Sequence, residues 1–370
     1  MRLLVQPQDS VVPLIRAIES AKKSIELVIF RFDRRELERA LRNAVNRGIF
    51  VHALIARTNR GGEEGLRKLE MRLLDIGVTV ARTANDFPRY HDKMLIIDRS
   101  ILYLMAFNFT YLDIERSRSF AIVTKNPKLV QEAVKLFETD TKRQNYVPAL
   151  PNFVVSPINA RQQISKFIKG AKKELLIYDP RASDRPMIRL LEERARAGVT
   201  VNIIGRVTQH SSKLPTRKLD RIRLHARAII RDRSQAFIGS QSLRQIELDE
   251  RREAGVIIRD LKIAGRLARI FEEDWAASQE RALAEKAPAP MERAVKKVAK
   301  AITKDLPPIT PVLEQAVKEV IGNGSPVDLD VEEIEDTVKD AVKEVVKEIV
   351  KDAVEDAVEQ NGGNGQGSTQ

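Results

Sequence analysis

Two segments of the chain repeat a histidine, a cation two positions later and an aspartate five positions after the cation. These residues are His91, Lys93 and Asp98 in the first segment and His225, Arg227 and Asp232 in the second. Because alternate residues of a β-strand lie on one face, each histidine would sit beside its cation. A neutral imidazole can attack or accept a proton, an imidazolium can donate one, and a neighbouring cation can hold an anionic oxygen. The spacing therefore indicates acid–base or nucleophilic chemistry at an anionic group.

A small polar residue follows each histidine at the same interval. Asn108 and Ser242 each lie 17 positions after their histidine, and Ser240 lies two positions before Ser242. Amide and hydroxyl groups at these positions could donate hydrogen bonds to the oxygens of an anion. One such motif could arise by chance, but two in phase make a strong signal.

The two segments belong to a longer internal repeat, which predicts the elements that position them. Ala21–Ile25 recurs 150 positions later at 171–175, and each copy reads as helix, buried strand, helix, glycine and buried strand. In the first copy, a strand over Ile25–Phe30 precedes a helix that ends at Gly48. The offset falls to 134 at the histidines because the first copy has 16 extra residues within 57–90. Such units are typical of an α/β fold, and the duplication predicts pseudo-symmetric halves.

This arrangement resembles the phospholipase D superfamily, whose mark is H-x-K-x4-D followed by G-S-x-N, once in each half. The resemblance covers residues 1–281, about three quarters of the chain. It implies an α/β fold of two pseudo-symmetric phospholipase D-like halves with helix-covered sheets. We expect one half at 1–146, the second at 147–281, and an acidic helical tail with a disordered end at 282–370.

The resemblance also implies an activity and assigns roles to the repeated residues. It implies a metal-independent phosphodiesterase or phosphatidyl transferase, without a cofactor, that acts through a covalent phosphohistidine. The N-terminal histidine of the family is usually the nucleophile, which gives this role to His91 and the acid–base role to His225. Lys93 and Arg227 would hold the phosphoryl oxygens. The residues expected to bind substrate by hydrogen bonds are Asn108, Ser240 and Ser242.

The two copies depart from the family pattern at different positions. The second copy has Arg227 in place of lysine and Ser242 in place of asparagine, and the first has Met105-Ala106 in place of Gly-Ser. In the family a carboxylate after G-S-x-N often orients a histidine. The second copy offers Glu253 for this role, whereas the equivalent residue of the first copy is Ser119. Arginine keeps the positive charge, so we expect phosphate binding to persist, while full turnover stays open.

Several other residues are interpreted as structural or are left open. Asp98 and Asp232 are each expected to end a strand and anchor a turn. His52 lies on an apolar strand and is interpreted as a packed residue, whereas His210 falls in a polar loop and is expected to be solvated. Four arginines could form an exposed basic rim or line the entry of a phosphate: Arg116, Arg118, Arg251 and Arg252.

The charge of the chain is divided unevenly. The net charge is +12, but residues 1–281 hold 53 Lys and Arg against 34 Asp and Glu, whereas 282–370 hold 11 against 18. The absence of cysteine excludes a disulfide scaffold, thiol catalysis and Cys-ligated metals. No apolar run reaches the ~20 residues of a membrane span, and the N-terminus does not resemble a signal peptide. These features predict a cytoplasmic protein, with peripheral membrane contact left open.

The substrate and the partners stay open at the level of sequence. A phospholipid is favoured as the phosphodiester, which includes a cardiolipin synthase-like activity. The basic region is also typical of proteins that bind nucleic acid, so a phospholipase D-family nuclease on DNA or RNA is an alternative. A third hypothesis is a catalytically degenerate protein that binds phosphates and assembles. The amphipathic pattern over Val327–Glu359 has 13 acids and four lysines, which favours self-association through the tail over binding to an anionic bilayer.

Overall fold

The repeated units of the sequence form two mixed β-sheets in the computed structural model. The structure describes residues 1–57, 62–208, 212–219 and 221–285. Within the chain, Met1–Gln279 forms one compact unit. His210 lies outside the described residues. The predicted tail at 282–370, with its self-association, also lies outside them, apart from the first four residues, which end the last helix.

The first copy of the repeat contributes seven strands and five helices to the described part of the chain. In chain order they are β1 (Arg2–Gln6), α1 (Val12–Ser20), β2 (Ser24–Val28), α2 (Arg35–Asn46), β3 (Phe50–Ile55), α3 (Gly62–Asp75), β4 (Thr79–Arg82), β5 (Met94–Ile97), β6 (Ile101–Met105), α4 (Tyr111–Glu115), β7 (Ser117–Thr124) and α5 (Pro127–Thr141).

The second copy follows the same order with shorter elements in place of α3 and β4. Its elements are β8 (Phe153–Ser156), α6 (Ala160–Lys169), β9 (Glu174–Ala182), α7 (Arg185–Arg196), β10 (Thr200–Val207), β11 (Thr216–Arg217), β12 (Arg223–Leu224), β13 (Ala228–Arg231), β14 (Gln235–Gly239), α8 (Gln245–Asp249), β15 (Glu253–Ile258) and α9 (Leu261–Glu285).

The two sheets have matching strand orders. The first runs β1-β7-β6-β5-β2-β3-β4 and the second runs β11-β10-β9-β13-β14-β15-β8. In each sheet the pairs joined by a crossover helix, β2 with β3 and β9 with β10, are parallel, whereas β5 and β13 join antiparallel to their neighbours. The expected α/β fold with two similar halves is therefore confirmed.

Local sequence explains where two of the helices end. Gly48 and Gly198 follow α2 and α7 with φ of +82° and +88°, a conformation that glycine adopts without strain. The expected strand over Ile25–Phe30 is shifted, since β2 ends at Val28. The extra residues of the first copy form α3 and β4. The expected junction at 146–147 falls between α5 and β8, and α9 continues across the expected boundary at 281–282.

Three apolar clusters hold the described elements together. One lies on the outer face of the first sheet under α1 and α2, and a second lies on the outer face of the second sheet under α6 and α7. The third joins residues of both sheets with α5 and α9. In this third cluster Phe120 of β7 meets Tyr178 of β9 with ring centroids 5.3 Å apart, and Tyr178 meets Phe271 at 5.1 Å. The two copies therefore share a core.

Buried ion pairs repeat with the 134-residue offset inside this shared core. Arg118 donates from Nε and Nη2 to the two carboxylate oxygens of Asp274, each at 2.8 Å, and the Tyr178 hydroxyl donates to Asp274 at 2.7 Å. The equivalent Arg252 lies 3.1 Å from Asp140. Both arginines are buried, so the alternative of an exposed basic rim is wrong for them, and their guanidinium groups face carboxylates of the core.

The surroundings of the two arginine–aspartate pairs differ by one carboxylate. Asp92 is buried next to Asp140 and Arg252, whereas its equivalent in the second copy is Ala226. Among the described residues, no hydrogen bond from another residue reaches the carboxylate oxygens of Asp92. Burial, followed by the charge of Asp140, raises the pKa of Asp92 to about 7. Two carboxylates of the first copy thus share one guanidinium from the second copy.

Asp98 and Asp232 anchor equivalent turns. Asp98 accepts hydrogen bonds from the backbone N–H groups of Lys22, Lys23 and Ser24 at 2.6–3.0 Å. Asp232 does the same for the turn at 172–174. Asp98 lies five strand residues beyond Lys93, a distance of roughly 16 Å along an extended chain. These contacts give both aspartates a structural task at the far end of β5 and β13.

Replacement of Asp98 by alanine should destabilise the protein. The three backbone donors would lose a charged acceptor, so Asp98→Ala should lower the free energy of unfolding by about 1–3 kcal/mol. Urea unfolding followed by circular dichroism measures the change, with Asp75→Ala, an exposed aspartate at the end of α3, as the matched control. Equal stability of the two variants would contradict the anchoring role.

Replacement of Asp92 by asparagine should change how stability depends on pH. The folded pKa of about 7 lies above the ordinary value of 3.8, so this carboxyl favours folding at low pH and that contribution is lost as pH rises through 7. Asparagine resembles the protonated carboxyl and does not titrate. The variant should therefore gain stability over the wild type between pH 4 and pH 7, by at most about 1.4 kcal/mol per pH unit. Urea midpoints that differ by a pH-independent amount would contradict this.

Candidate active site

Each histidine of the repeat is held by the other copy. The backbone N–H of His91 donates to the carbonyl of Arg252 at 2.7 Å, beside an isolated parallel bridge between Tyr90 and Arg252. The backbone N–H of His225 donates to the carbonyl of Arg118 at 3.0 Å, next to the parallel pairing of β12 with β7. Both histidines therefore lie where backbone pairing connects the two copies.

The ring of His91 is oriented by a carboxylate from the second copy. Nδ1 lies 3.0 Å and 3.1 Å from the two carboxylate oxygens of Glu253, which begins β15 and is fully buried. Burial, reinforced by the charge of Glu247, raises the pKa of Glu253 to about 7. With Nδ1 engaged, Nε2 is the nitrogen of His91 that remains for chemistry.

The imidazole of His91 is held in its neutral form. Burial lowers its pKa well below 6.5, and the cations that lower it further are Lys93, Arg89, Arg227 and Arg251. A neutral imidazole whose Nδ1–H donates to a carboxylate presents a lone pair on Nε2. The surroundings thus favour a nucleophile or base at this position.

Lys93 and Arg227 occupy equivalent places. The Nζ of Lys93 donates to the carbonyl of His91 at 2.6 Å, and Nη1 of Arg227 donates to the carbonyl of His225 at 3.2 Å. Burial lowers the pKa of Lys93 to about 7, with Glu253 opposing the change. Each cation acts on the pKa of both histidines, so the four residues form one electrostatic cluster.

The small polar residues after the histidines are positioned by two further carboxylates. Asn108 donates from its backbone N–H and from Nδ2 to Asp113, at 2.8 Å and 2.9 Å. Ser242 donates from its backbone N–H to Glu247 at 2.7 Å, and its hydroxyl accepts from Nε of Arg227 at 3.1 Å.

The same two carboxylates also form a signal that the sequence interpretation missed. Asp113 and Glu247 are themselves 134 residues apart, and both lie five positions after the small polar residue. This shared offset and acidic character could have identified them.

Ser240 is placed differently from its partner in the motif. It is fully buried beside Glu253, and its hydroxyl exchanges hydrogen bonds with the backbone of Ala254 at 3.2 Å and 3.3 Å. The hydroxyl also lowers the pKa of Glu253, against the raising effect of burial. Ser240 thus helps to hold the carboxylate that orients His91.

The remaining candidate residues divide between the site and its surroundings. Arg251 is buried, pairs with Glu247 at 3.5 Å and lowers the pKa of His91. Arg116 lies outside, where its guanidinium stacks on the ring of Tyr111 at 5.8 Å. His52 packs against Phe137 with ring centroids 5.1 Å apart, as expected for a packed residue.

Two absences hold for the described part of the chain. Within residues 1–57, 62–208, 212–219 and 221–285, no three or more His, Asp and Glu side chains gather as a metal ion would need. In the same ranges, none of the helices combines the length and the apolar character that crossing a bilayer requires.

Comparison with known proteins places this site in a family. A family model described as "Cardiolipin synthase, PLD-like domain" matches residues 14–141 and 164–275, which include both histidine motifs. The mitochondrial cardiolipin hydrolase of Danio rerio is 30% identical over 139 residues, which are 35% of this chain and 58% of that protein. The chain thus spans less than two thirds of the length of this relative.

Solved structures share the fold at low sequence identity. Polyphosphate kinase from Porphyromonas gingivalis has a TM-score of 0.62 and 19% identity, covering 74% of this chain and 50% of that one. Phosphatidylserine synthase from Haemophilus influenzae Rd KW20 has a TM-score of 0.57 and 15% identity, covering 75% and 86%. The match of the family model to both copies, on a fold with paired histidine motifs, shows that this chain belongs to the phospholipase D superfamily.

Proposed function

We propose that this protein is a phosphodiesterase or phosphatidyl transferase that acts through a covalent phosphohistidine on His91. The observation that carries the proposal is the ring of His91, whose Nδ1 is held by Glu253 of the other copy at 3.0 Å, beside Lys93. This arrangement leaves a neutral Nε2 next to cations that can bind a phosphate. The family membership and the cardiolipin hydrolase relative support it.

The first chemical step transfers the phosphoryl group to the protein. The lone pair on Nε2 of His91 forms a bond to phosphorus while the bond from phosphorus to the leaving oxygen breaks. His225 gives its proton to that oxygen, and the anionic substrate supports its protonated form. In the second step His225 takes the proton of water or an alcohol, whose oxygen attacks phosphorus and releases Nε2.

The cations and amides around the histidines stabilise the charge that develops on the phosphoryl oxygens. Lys93 and Arg227 would contact the non-bridging oxygens, with Asn108 and Ser242 as further donors. Arginine stays charged at every physiological pH, whereas the pKa of Lys93 is lowered to about 7. A bound phosphate would favour protonation of Lys93, since an opposite charge raises the pKa of a buried amine.

A phospholipid is the substrate that we propose. The matching family description names cardiolipin synthase, and the relative from Danio rerio is named for cardiolipin hydrolysis. The excess of 53 basic over 34 acidic residues within 1–281 favours a nuclease as the second candidate. A non-catalytic phosphate-binding protein is the third possibility, and turnover with either diester would exclude it.

Replacement of each histidine by alanine should block a different step of the reaction. With bis(p-nitrophenyl) phosphate, whose leaving group needs no proton, His225→Ala should release about one equivalent of nitrophenolate and then stall, since the second step lacks its base. An acid-labile phosphoryl group should remain on His91, detectable by mass spectrometry. His91→Ala should show no such burst, and its turnover should be reduced at least about 100-fold.

The controls for this experiment address folding and metals. His52→Gln removes a histidine that packs against Phe137 outside the site, and it should turn over like the wild type. EDTA should leave the rate unchanged. A rate that disappears with EDTA and returns with a divalent metal, or a burst from His91→Ala, would contradict the mechanism.

The substrate class follows from a comparison of natural diesters. Trapping should label His91 with cardiolipin or phosphatidylglycerol in vesicles and not with DNA or RNA, and added glycerol would reveal transfer as a new lipid product. Labelling by nucleic acid alone, with binding that weakens steeply with salt, would instead establish the nuclease.

Anion binding should weaken as pH rises through about 7. Lys93 loses its proton there and Glu253 gains negative charge, so the affinity for sulfate, whose charge is constant in this range, should fall by up to about tenfold per pH unit per group. Lys93→Arg keeps the charge and should flatten the dependence. Calorimetry with sulfate from pH 6 to pH 9 measures both proteins, and parallel curves would contradict the assignment to Lys93.

A further inference from the structure

The two copies of the repeat differ at one position that affects the surroundings of His225. Glu253 orients His91, but the equivalent residue of the first copy is Ser119, which is too short to reach a ring in the same way. Ser119 is fully buried, and among the described residues its hydroxyl has no hydrogen-bond partner. In the same part of the chain, no hydrogen bond reaches Nδ1 of His225. A buried ring nitrogen without a partner costs free energy and leaves the tautomer undefined.

Asp113 is the carboxylate that faces this nitrogen. Its Oδ2 lies 3.8 Å from Nδ1 of His225, an ion-pair distance that is about 1 Å too long for a hydrogen bond. Asp113 is buried on α4 of the first copy, whereas His225 belongs to the second. Each catalytic histidine thus faces a carboxylate from the opposite copy. The two carboxylates, Glu253 and Asp113, lie at different positions of the repeat.

Asp113 is held in its ionised form by fixed donors. Burial alone would raise its pKa, but His225, Arg223 and the two hydrogen bonds from Asn108 outweigh burial and hold that pKa well below the usual range. Arg223 donates to Oδ1 at 2.8 Å, and Asn108 donates to Oδ2. The carboxylate is therefore a rigid negative charge directed at His225.

The equivalent carboxylate of the second copy serves another purpose. Glu247 accepts from the backbone of Ser242 as Asp113 accepts from Asn108, but it lies 3.6 Å from Nε of Arg227. His91 already has Glu253 and needs no second carboxylate. The two acidic residues share a structural task, and only Asp113 has a histidine ring nitrogen as an additional neighbour.

We propose that Asp113 is the positioning residue of His225. Asp113 takes the place of the carboxylate that Ser119 cannot supply. The catalytic consequence rests on the function proposed above. Movement of the ring by about 1 Å would let protonated Nδ1 donate to Oδ2 and would direct Nε2–H toward the leaving oxygen. The charged groups that face His225 are Asp113, Arg223, Arg227 and Lys93, and Asp113 is the acidic one.

The first test measures the proton affinity of His225 without turnover. The chain has four histidines, so 13C-labelled histidine gives an NMR spectrum that can be assigned by single substitutions. Asp113→Asn keeps an acceptor for Asn108 but removes the charge, and it should lower the pKa of His225 by about one to three units in the presence of saturating sulfate. His91 in the same spectrum is the internal control. An unchanged titration of His225 would overturn the proposal.

The second test restores the carboxylate at the position that the family pattern uses. Ser119→Glu in the Asp113→Asn background should recover the pKa of His225 and at least about tenfold of the lost kcat, with little change in KM. Glu247→Gln is the matched control, because it removes the equivalent buried carboxylate and should change the His225 titration less than Asp113→Asn does. Loss of kcat without any change in the His225 titration would mean that Asp113 only stabilises the fold.

These outcomes separate the inference from the proposed function. If the wild-type protein turns over no phosphodiester, the proposed function fails, while the NMR titration still decides the role of Asp113. If the wild type turns over substrate and Asp113→Asn leaves both the titration and the pH profile unchanged, Asp113 has no such role and the proposed function stands. Circular dichroism of each variant, compared with the wild type, shows whether a loss comes from unfolding.

Discussion

The site depends on an exchange of backbone hydrogen bonds between the two copies of the repeat. His91 donates to the carbonyl of Arg252, and His225 donates to the carbonyl of Arg118. The next residue after Arg252 is Glu253, so the pairing that fixes the main chain of His91 also delivers the carboxylate for its ring. Both arginines also form ion pairs with buried aspartates in the shared core. Separation of the two copies would therefore disassemble the site.

The burial that creates the site also sets its charge states. Lys93 and Glu253 are both fully buried, and burial moves their pKa values toward each other, to about 7 in each case. A guanidinium keeps its proton even when buried, so arginine does not titrate as a buried lysine does. In the proposed mechanism, an arginine therefore acts together with a lysine whose protonation responds to the phosphate. In that mechanism, the presence of Arg227 where the family has lysine would separate anchoring of the anion from adjustment of the local charge.

The sequence predicted the fold class, the duplication and the paired motifs, because each depends on local periodicity and on spacing that a repeat makes visible. The resemblance to the family also pointed to Glu253, as a carboxylate after the second motif that could orient a histidine. The sequence did not identify Asp113, and it left Arg118 and Arg252 among surface alternatives. Those roles depend on contacts across 156 and 112 residues, to Asp274 and Asp140, or across the junction of the copies. Such contacts follow from how the sheets pack, which no short window of sequence records.

Divergence of the two copies accounts for the different tasks that we propose for the two histidines. A close carboxylate at 3.0 Å fixes the tautomer of His91 and leaves Nε2 free to attack. A carboxylate at 3.8 Å, held by Arg223 and Asn108, leaves the ring of His225 neutral in the free site yet offers stabilisation once it gains a proton. An acid that must donate and then accept needs this intermediate proton affinity, whereas a nucleophile needs a fixed lone pair. The presence of Ser119 in place of a glutamate therefore agrees with the separate role that we propose for His225.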